Sequence, residues 1–276
     1  MKVAFWSNGR GKSCVTSNLA CISVLSILSS HNQSKTILFE NHKNIINLGS
    51  TLANDQWNQE VKESGSYVVN RGLGRIFRSV ESGETLSKEA FFHFADGYLG
   101  ERLFYLSTGN ISNSDLMEYQ MDRDCVPTMN YLEQYGEYVF VDTSSAPLIS
   151  SRKILQQADL VVVNLSQNKQ MLTHFFRNYS SIREKAFYLL GDYDATAGLT
   201  KSKIMKNYQI KGNRIGIIPH NVGFLDAVSE GNLIPFLLKN YNCERENENY
   251  AFMQSAKEAV ELFHTNLEMR MTGNCL

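Results

Sequence analysis

The stretch VAFWSNGRGKSCVTSNLACISVL, residues 3–25, decides how the rest of the chain is read. An apolar run ends at Trp6, a glycine-bearing loop follows, and Gly11-Lys12-Ser13 leads into a segment with apolar residues at helical spacing. A strand that passes through Gly-x-Gly-Lys-Ser into a helix is suited to cradle phosphate. Gly9 and Gly11 let backbone approach closely, and the first helical amides point outward with the positive end of the helix dipole. Lys12 then brings a point charge to the β and γ phosphates, and the Ser13 hydroxyl a ligand for Mg²⁺. Full Walker A spacing, G-x-x-x-x-G-K-[ST], would need glycine at position 6, which is Trp6. Taken alone, the five residues could equally be a serine-capped turn; their place between strand and helix favours the nucleotide site.

Composition sets the limits. The 276 residues are 43% hydrophobic and 20% charged, enough for one large α/β domain with a sizeable core. A formal net charge of −1 lacks the basic excess of proteins that bind nucleic acid or anionic membrane through their overall charge. Cysteines 14, 21, 125, 243 and 275 form no C-x-x-C pair, which points to a reducing compartment. The histidines lack H-x-x-x-H spacing, so no transition-metal site is expected. Lys2 runs straight into the first strand, and Ser13–Gln33 is too rich in serine for a membrane span of ~20 residues. A cytoplasmic protein without an integral membrane segment is the expectation.

Short apolar runs alternate with amphipathic segments. Strands are expected at 2–6, 36–40, 102–106, 138–142, 159–165, 186–191 and 214–219. Helices are expected at 13–29 and near 86–95, 125–135, 150–157, 168–184, 200–208, 223–230 and 248–270. Continuously apolar strands separated by helices predict a doubly wound, mostly parallel sheet of seven or eight strands with helices on both faces. Residues 48–100 are harder to read and fit helices or a hairpin inserted at one edge. Without a repeat or linker, residues 1–276 read as a single domain with the helix at 248–270 packed on it.

Beyond the loop, several stretches together resemble the ParA/MinD family of P-loop ATPases, whose deviant Walker motif is K-G-G-x-G-K-[ST]. Ser7-Asn8-Gly9-Arg10 lies over K-G-G-x, and TSNLA (16–20) is similar to the family's T-x-N-L-A helix. ILFENHKNIINLGSTL (37–52) resembles the second strand and switch I, EYVFVDTSSA (137–146) the Walker B strand and switch II, and QADLVVVNLSQNKQML (157–172) the next strand. IGIIPHNVGFLDAVSEGNLI (215–234) resembles the segment that borders the adenine. The resemblance covers most of residues 2–240 in family order. It implies ATP/ADP and Mg²⁺ as cofactors and a nucleotide-dependent homodimer.

The resemblance also assigns site residues. Asn8, Gly9, Arg10, Gly11, Lys12, Ser13 and Cys14 would surround the phosphates, and Pro219 and His220 would border the adenine. Ser13, Glu40 and Asp142 would support magnesium, and Lys12, Glu40, Asp142 and Arg10 would carry the chemistry. The departures bear on hydrolysis. The family's cross-dimer lysine aligns with Ser7, the switch I aspartates with Glu40 and His42, and the switch II proline and glycine with Ser144 and Ala146. Phosphoryl transfer needs positive charge at the γ phosphate and a placed water, so the expected enzyme is a weak ATPase. Arg10 is either a substitute cation or a solvated loop residue. His42 is either a water-positioning substitute or, as is commoner at a strand end, a surface residue.

Only Cys125 lies between the second and fourth core strands, so the paired cysteines of the cluster-bearing iron proteins are missing. In the terminal segment, Phe252, Ala256, Ala259, Val260 and Phe263 form a core stripe, and the acidic polar face does not suit a membrane anchor. Lys201, Lys203, Lys206, Lys211 and Arg214 form a local basic cluster, either a solvated helix face, the commoner case, or a surface for DNA, which is a less favoured partner than a protein. A switch that positions a pilus, secretion or conjugation machinery is the expected role, recruited to a membrane-associated assembly through its partner. The TadZ branch resembles this role, although its members carry a receiver-like domain before the ATPase and this sequence opens on the first strand. A non-hydrolysing scaffold and a DNA-partition ATPase are the alternatives.

Overall fold

The strands form where valine, isoleucine and phenylalanine run together, and the computed structural model describes residues 1–9, 13–30, 33–53, 72–108 and 113–273. In chain order they give β1 (Lys2–Trp6), α1 (Val15–Ser29), β2 (Thr36–Glu40), α2 (Leu48–Leu52), α3 (Gly72–Ser82), α4 (Lys88–Phe94), β3 (Asp96–Tyr98) and β4 (Leu103–Tyr105). There follow α5 (Ser114–Leu132), β5 (Tyr138–Asp142), α6 (Ile149–Gln157), β6 (Leu160–Leu165), α7 (Lys169–Asn178), α8 (Ser180–Arg183) and β7 (Ala186–Tyr193). The chain continues through α9 (Lys201–Tyr208), β8 (Ile215–Pro219), α10 (Val222–Ser229), α11 (Leu233–Asn240) and α12 (Tyr250–Met271).

The strands make one eight-stranded sheet in the order β3-β4-β2-β5-β1-β6-β7-β8. All pairings are parallel except β3 with β4. Along β1 the side chains alternate: Val3 and Phe5 join the layer of α1, α11 and α12, while Ala4 and Trp6 join the layer of α3, α5, α6 and α7. With both faces covered, the strands read as unbroken apolar runs. Helix α1 is buried at every position from Ser17 to Ile27, because besides the sheet it packs against α2, α11 and α12. The stripe Phe252, Ala256, Ala259, Val260 and Phe263 of α12 is buried as expected. Gly216 of β8 admits this helix closely, since a Cβ there would stand 2.8 Å from that of Ala259.

The expected α/β class and the seven strands are present. The eighth strand, β3, closes a hairpin at the sheet edge inside the hard-to-read region, beside helices α2, α3 and α4; residues 54–71 lie outside the described residues. The helix expected near 125–135 starts eleven residues earlier, at Ser114, with Pro127 inside it. The helix expected at 168–184 is broken at Tyr179, and α11 extends the fold beyond the helix expected at 223–230. Among the described residues, no helix is long and apolar enough to cross a membrane.

Candidate functional site

β1 lies between β5 and β6, and the chain leaves it first toward β2 on one side and later toward β6 on the other. The crevice at the carboxyl ends of β1, β2, β5 and β6 is therefore the topological switch point, where open α/β sheets bind ligands. The loop from Ser7 to Cys14 sits there, with Arg10, Gly11 and Lys12 outside the described residues. Ser7 is buried, and its hydroxyl accepts the Gly9 N–H at 3.3 Å. Ser13 is also buried and donates to the Gly9 carbonyl at 3.4 Å. Cys14 adopts a left-handed conformation (φ 51°) and gives α1 no side-chain cap, so the first helical amides have no side-chain acceptor from it. An uncapped helix start is what an anion requires.

The loop is held from two sides. Asn8 donates to the Met171 carbonyl at 2.9 Å and lies 3.2 Å from His174 Nδ1, while the Met171 side chain fills the space a Cβ on Gly9 would need. Asn18 donates to the Ser13 carbonyl at 3.3 Å and to Asn164 Oδ1 at 2.8 Å, tying the loop to β6.

Parallel register places Glu40 beside Asp142. Both are buried, a costly state for carboxylates that must be offset locally. Asp142 Oδ2 accepts from Thr16 Oγ1 at 2.6 Å. Glu40 Oε1 accepts from the Leu48 N–H at 2.7 Å and the Tyr105 hydroxyl at 2.8 Å, whereas Oε2 has no hydrogen-bond partner. His42, expected either to position a water or to sit at the surface, is buried between the two carboxylates, which overturns the surface expectation. Its Nδ1 lies 3.5 Å from Glu40 Oε2 and its Nε2 3.3 Å from Asp142 Oδ2. The surface expectation fails because β2 and β5 are neighbours, so the residue two beyond Glu40 turns over Asp142. Burial pushes Glu40 up to about 7, with the charge of His42 opposing and that of Asp142 adding. Burial alone would lower His42, but the hydrogen bond and charge of Asp142, with the charge of Glu40, raise it overall.

The loops after β2 and β5 are bonded to each other. Asn41 Oδ1 accepts the Ser144 N–H at 2.6 Å, and Asn41 Nδ2 donates to Ser151 Oγ at 3.0 Å. On the far side of α1, Cys14, Asn18, Asp192, Pro219, Asn221 and Phe224 line a narrow cleft of about 10 Å³, room for roughly one water. His220 stands outside that lining, exposed, with Nδ1 2.7 Å from Asp192 Oδ1. The structure thus gathers Asn8, Gly9, Ser13, Cys14, Glu40 and Asp142 at one crevice with Pro219 at its flank. Sequence reasoning missed Thr16, Tyr105 and Asn41 as supports, because their partners are set by strand order.

The donor set fits a hard cation. Glu40 Oε2 is an orphaned buried oxygen, Asp142 is a second carboxylate and Ser13 a hydroxyl. Mg²⁺ is usually held by one or two carboxylates, waters and substrate phosphates, and no cluster of three or more His, Cys, Asp or Glu positioned for a metal occurs among the described residues.

No protein-family model and no curated protein matches the chain. Solved structures do. The septum site-determining protein MinD of Pyrococcus horikoshii OT3, complexed with Mg-ADP, superimposes with TM-score 0.69 at 12% identity, over 98% of this chain and 98% of that one. A ParA family ATPase from Chlorobium tepidum TLS gives 0.67 at 11% identity, over 94% and 97%. MinD in the MinC:MinD cell division complex of Aquifex aeolicus gives 0.63 at 15%, over 96% and 95%. At such identities the likeness establishes the fold: this is a ParA/MinD-type P-loop NTPase fold.

Proposed function

We propose that the protein binds ATP with Mg²⁺ in this crevice and acts as a nucleotide-dependent dimerising switch of the ParA/MinD kind, positioning a protein assembly. The observation that carries the reading is the uncapped start of α1 beside two buried carboxylates, one with an orphaned oxygen, at the switch point of the sheet. Lys12 and Arg10 supply cations to the phosphates, Ser13 and Asp142 hold the ion, and Glu40 supports it. The metal neutralises charge on the phosphates. Cys14 and Pro219 would border the base, which requires the narrow cleft they line to widen. A MinD with the same fold was solved with Mg-ADP, which supports this choice of ligand.

Dimerisation is supported by one group among the exposed apolar residues. Ile45 and Ile46 follow β2, Ile149 follows β5, and Val222 and Leu225 follow β8, so all five lie beyond carboxyl ends of strands around the crevice. A partner protein is favoured over DNA. Arg214 donates to the Ala186 and Arg183 carbonyls, Lys203 to the Gly198 carbonyl, and Lys201 lies 3.8 Å from Glu258, so much of the basic cluster is already engaged.

A second reading, a scaffold that binds nucleotide without hydrolysing it, is favoured by Ser7, whose buried hydroxyl stays within its own loop where the family has a lysine. A single-turnover assay with purified protein and γ-labelled ATP separates the two. Slow phosphate release that Lys12→Ala abolishes supports the weak ATPase, and no release with partner or DNA added leaves the scaffold.

A further inference from the structure

His42 stands where a cation would be expected, and its surroundings say what it does there. Its ring spans the gap between Glu40 Oε2 and Asp142 Oδ2, at 3.5 and 3.3 Å. Glu40 Oε1 is committed to Leu48 and Tyr105, so Oε2 alone faces the gap, fully buried and without a hydrogen-bond donor. A buried carboxylate oxygen left this way is a costly group, and a cation would satisfy it far better than a ring nitrogen 3.5 Å away.

We propose that His42 is a placeholder and gate for the metal: its side chain fills the space between Glu40 and Asp142, and a divalent cation enters by displacing it. The inference rests on the magnesium-site reading above. Mg²⁺ takes oxygen ligands at about 2.0–2.1 Å and keeps several waters, so the ion and its shell need the volume the ring now fills. Displacing the ring also disturbs the backbone. The Asn44 N–H donates to His42 Nδ1 at 3.4 Å, so the ring braces the middle of the 41–47 loop from within. The loop ends are fixed separately, by Asn41 to Ser144 at 2.6 Å and by the Leu48 N–H to Glu40 at 2.7 Å. Between these anchors lie Ile45 and Ile46, 96% and 63% exposed. Metal entry would therefore free a segment that presents two exposed apolar side chains beside the crevice. His42 is a positioning residue in this scheme, neither a ligand nor a catalytic group.

The test uses Mn²⁺ alone as the probe, titrated into the full chain and followed by electron paramagnetic resonance, with hydrogen exchange read on a peptide covering 41–48. His42→Ala should bind Mn²⁺ at least tenfold more tightly than wild type, and His42→Ser, a second variant should the first fold poorly, should do the same. In wild type, exchange at 42–47 should rise several-fold on adding Mn²⁺; in either variant it should be fast from the start. Weaker Mn²⁺ binding by the variants would make His42 a ligand and overturn the proposal, and equal binding or unchanged wild-type exchange would overturn it too. Asp142→Asn keeps the two readings apart. If it loses Mn²⁺ while His42→Ala gains nothing, the gate alone fails. If Asp142→Asn binds as wild type does, or if no protein binds the ion, the magnesium-site reading falls and the gate with it.

Discussion

Thr16 Oγ1 donates to Asp142 Oδ2 across 2.6 Å, joining the first turn of α1 to the end of β5. The helix that starts at the phosphate loop and the strand that ends in the second switch-like segment thus share a charged hydrogen bond. A hydrogen bond to a charged group contributes roughly 1.5–3 kcal/mol. Thr16→Val should therefore lower stability by about 1–3 kcal/mol in urea unfolding with an unchanged m-value, and Thr16→Ser should restore most of it. A valine variant as stable as wild type would remove this link from the account.

Helix α12 should unfold together with the sheet, because its apolar stripe is buried in the layer that covers the sheet. Phe263 is fully buried and touches Phe5, Phe140 and Phe187, with ring centroids 6.0, 5.7 and 5.9 Å away. Phe263→Ala should cost roughly 3–5 kcal/mol. Unfolding followed by circular dichroism and by tryptophan fluorescence should still coincide. Two separated transitions in wild type would contradict a single domain.

His264, also on α12, provides a pH test away from the crevice. Burial holds its imidazole below the ordinary value of 6.5, with Glu268 opposing. The unfolded chain takes up this proton near 6.5 while the folded chain resists it, so the stabilising contribution is full above 6.5 and is lost as pH falls toward the folded value. Glu40 and His42, both raised, act in the opposite sense over the same range, so His264 is read from the difference between two proteins: from pH 7.5 to about 5.5 the urea midpoint of wild type should fall relative to that of His264→Gln. Parallel slopes for the two proteins would rule this group out as the cause.

The strand runs and the phosphate loop could be read directly, because continuous apolar burial and Gly-x-Gly-Lys-Ser are local signals. Other features were hidden for physical reasons. β3 is only Asp96-Gly97-Tyr98, strand by pairing with β4 rather than by propensity. The first half of α5 is polar on most faces, so its apolar spacing shows only in the second half, where Pro127 lies inside the helix. At the site, Glu40 and Asp142 followed from the resemblance, but the burial of His42 between them depends on β2 lying beside β5, two strands that are adjacent only in space. Tyr105 was hidden for the same reason, since it reaches Glu40 from β4.

Ile45 and its neighbours should mark the dimer face. Light scattering with Mg²⁺ and a non-hydrolysable ATP analogue should give a mass twice that without nucleotide, and Ile45→Asp, at a 96% exposed position, should keep the monomer without loss of stability. A charge buried without a partner in an interface is strongly unfavourable, so dimer affinity should fall at least tenfold. A monomer under every condition would remove the switch and leave only nucleotide binding.

Nucleotide binding itself is tested most directly by calorimetric titration of wild type and Lys12→Ala with Mg-ATP. The account predicts saturable binding of one ATP per chain by wild type and its loss in Lys12→Ala, with both proteins equally stable without nucleotide. No heat of binding from wild type at millimolar Mg-ATP, or equal affinity in the two proteins, would contradict it.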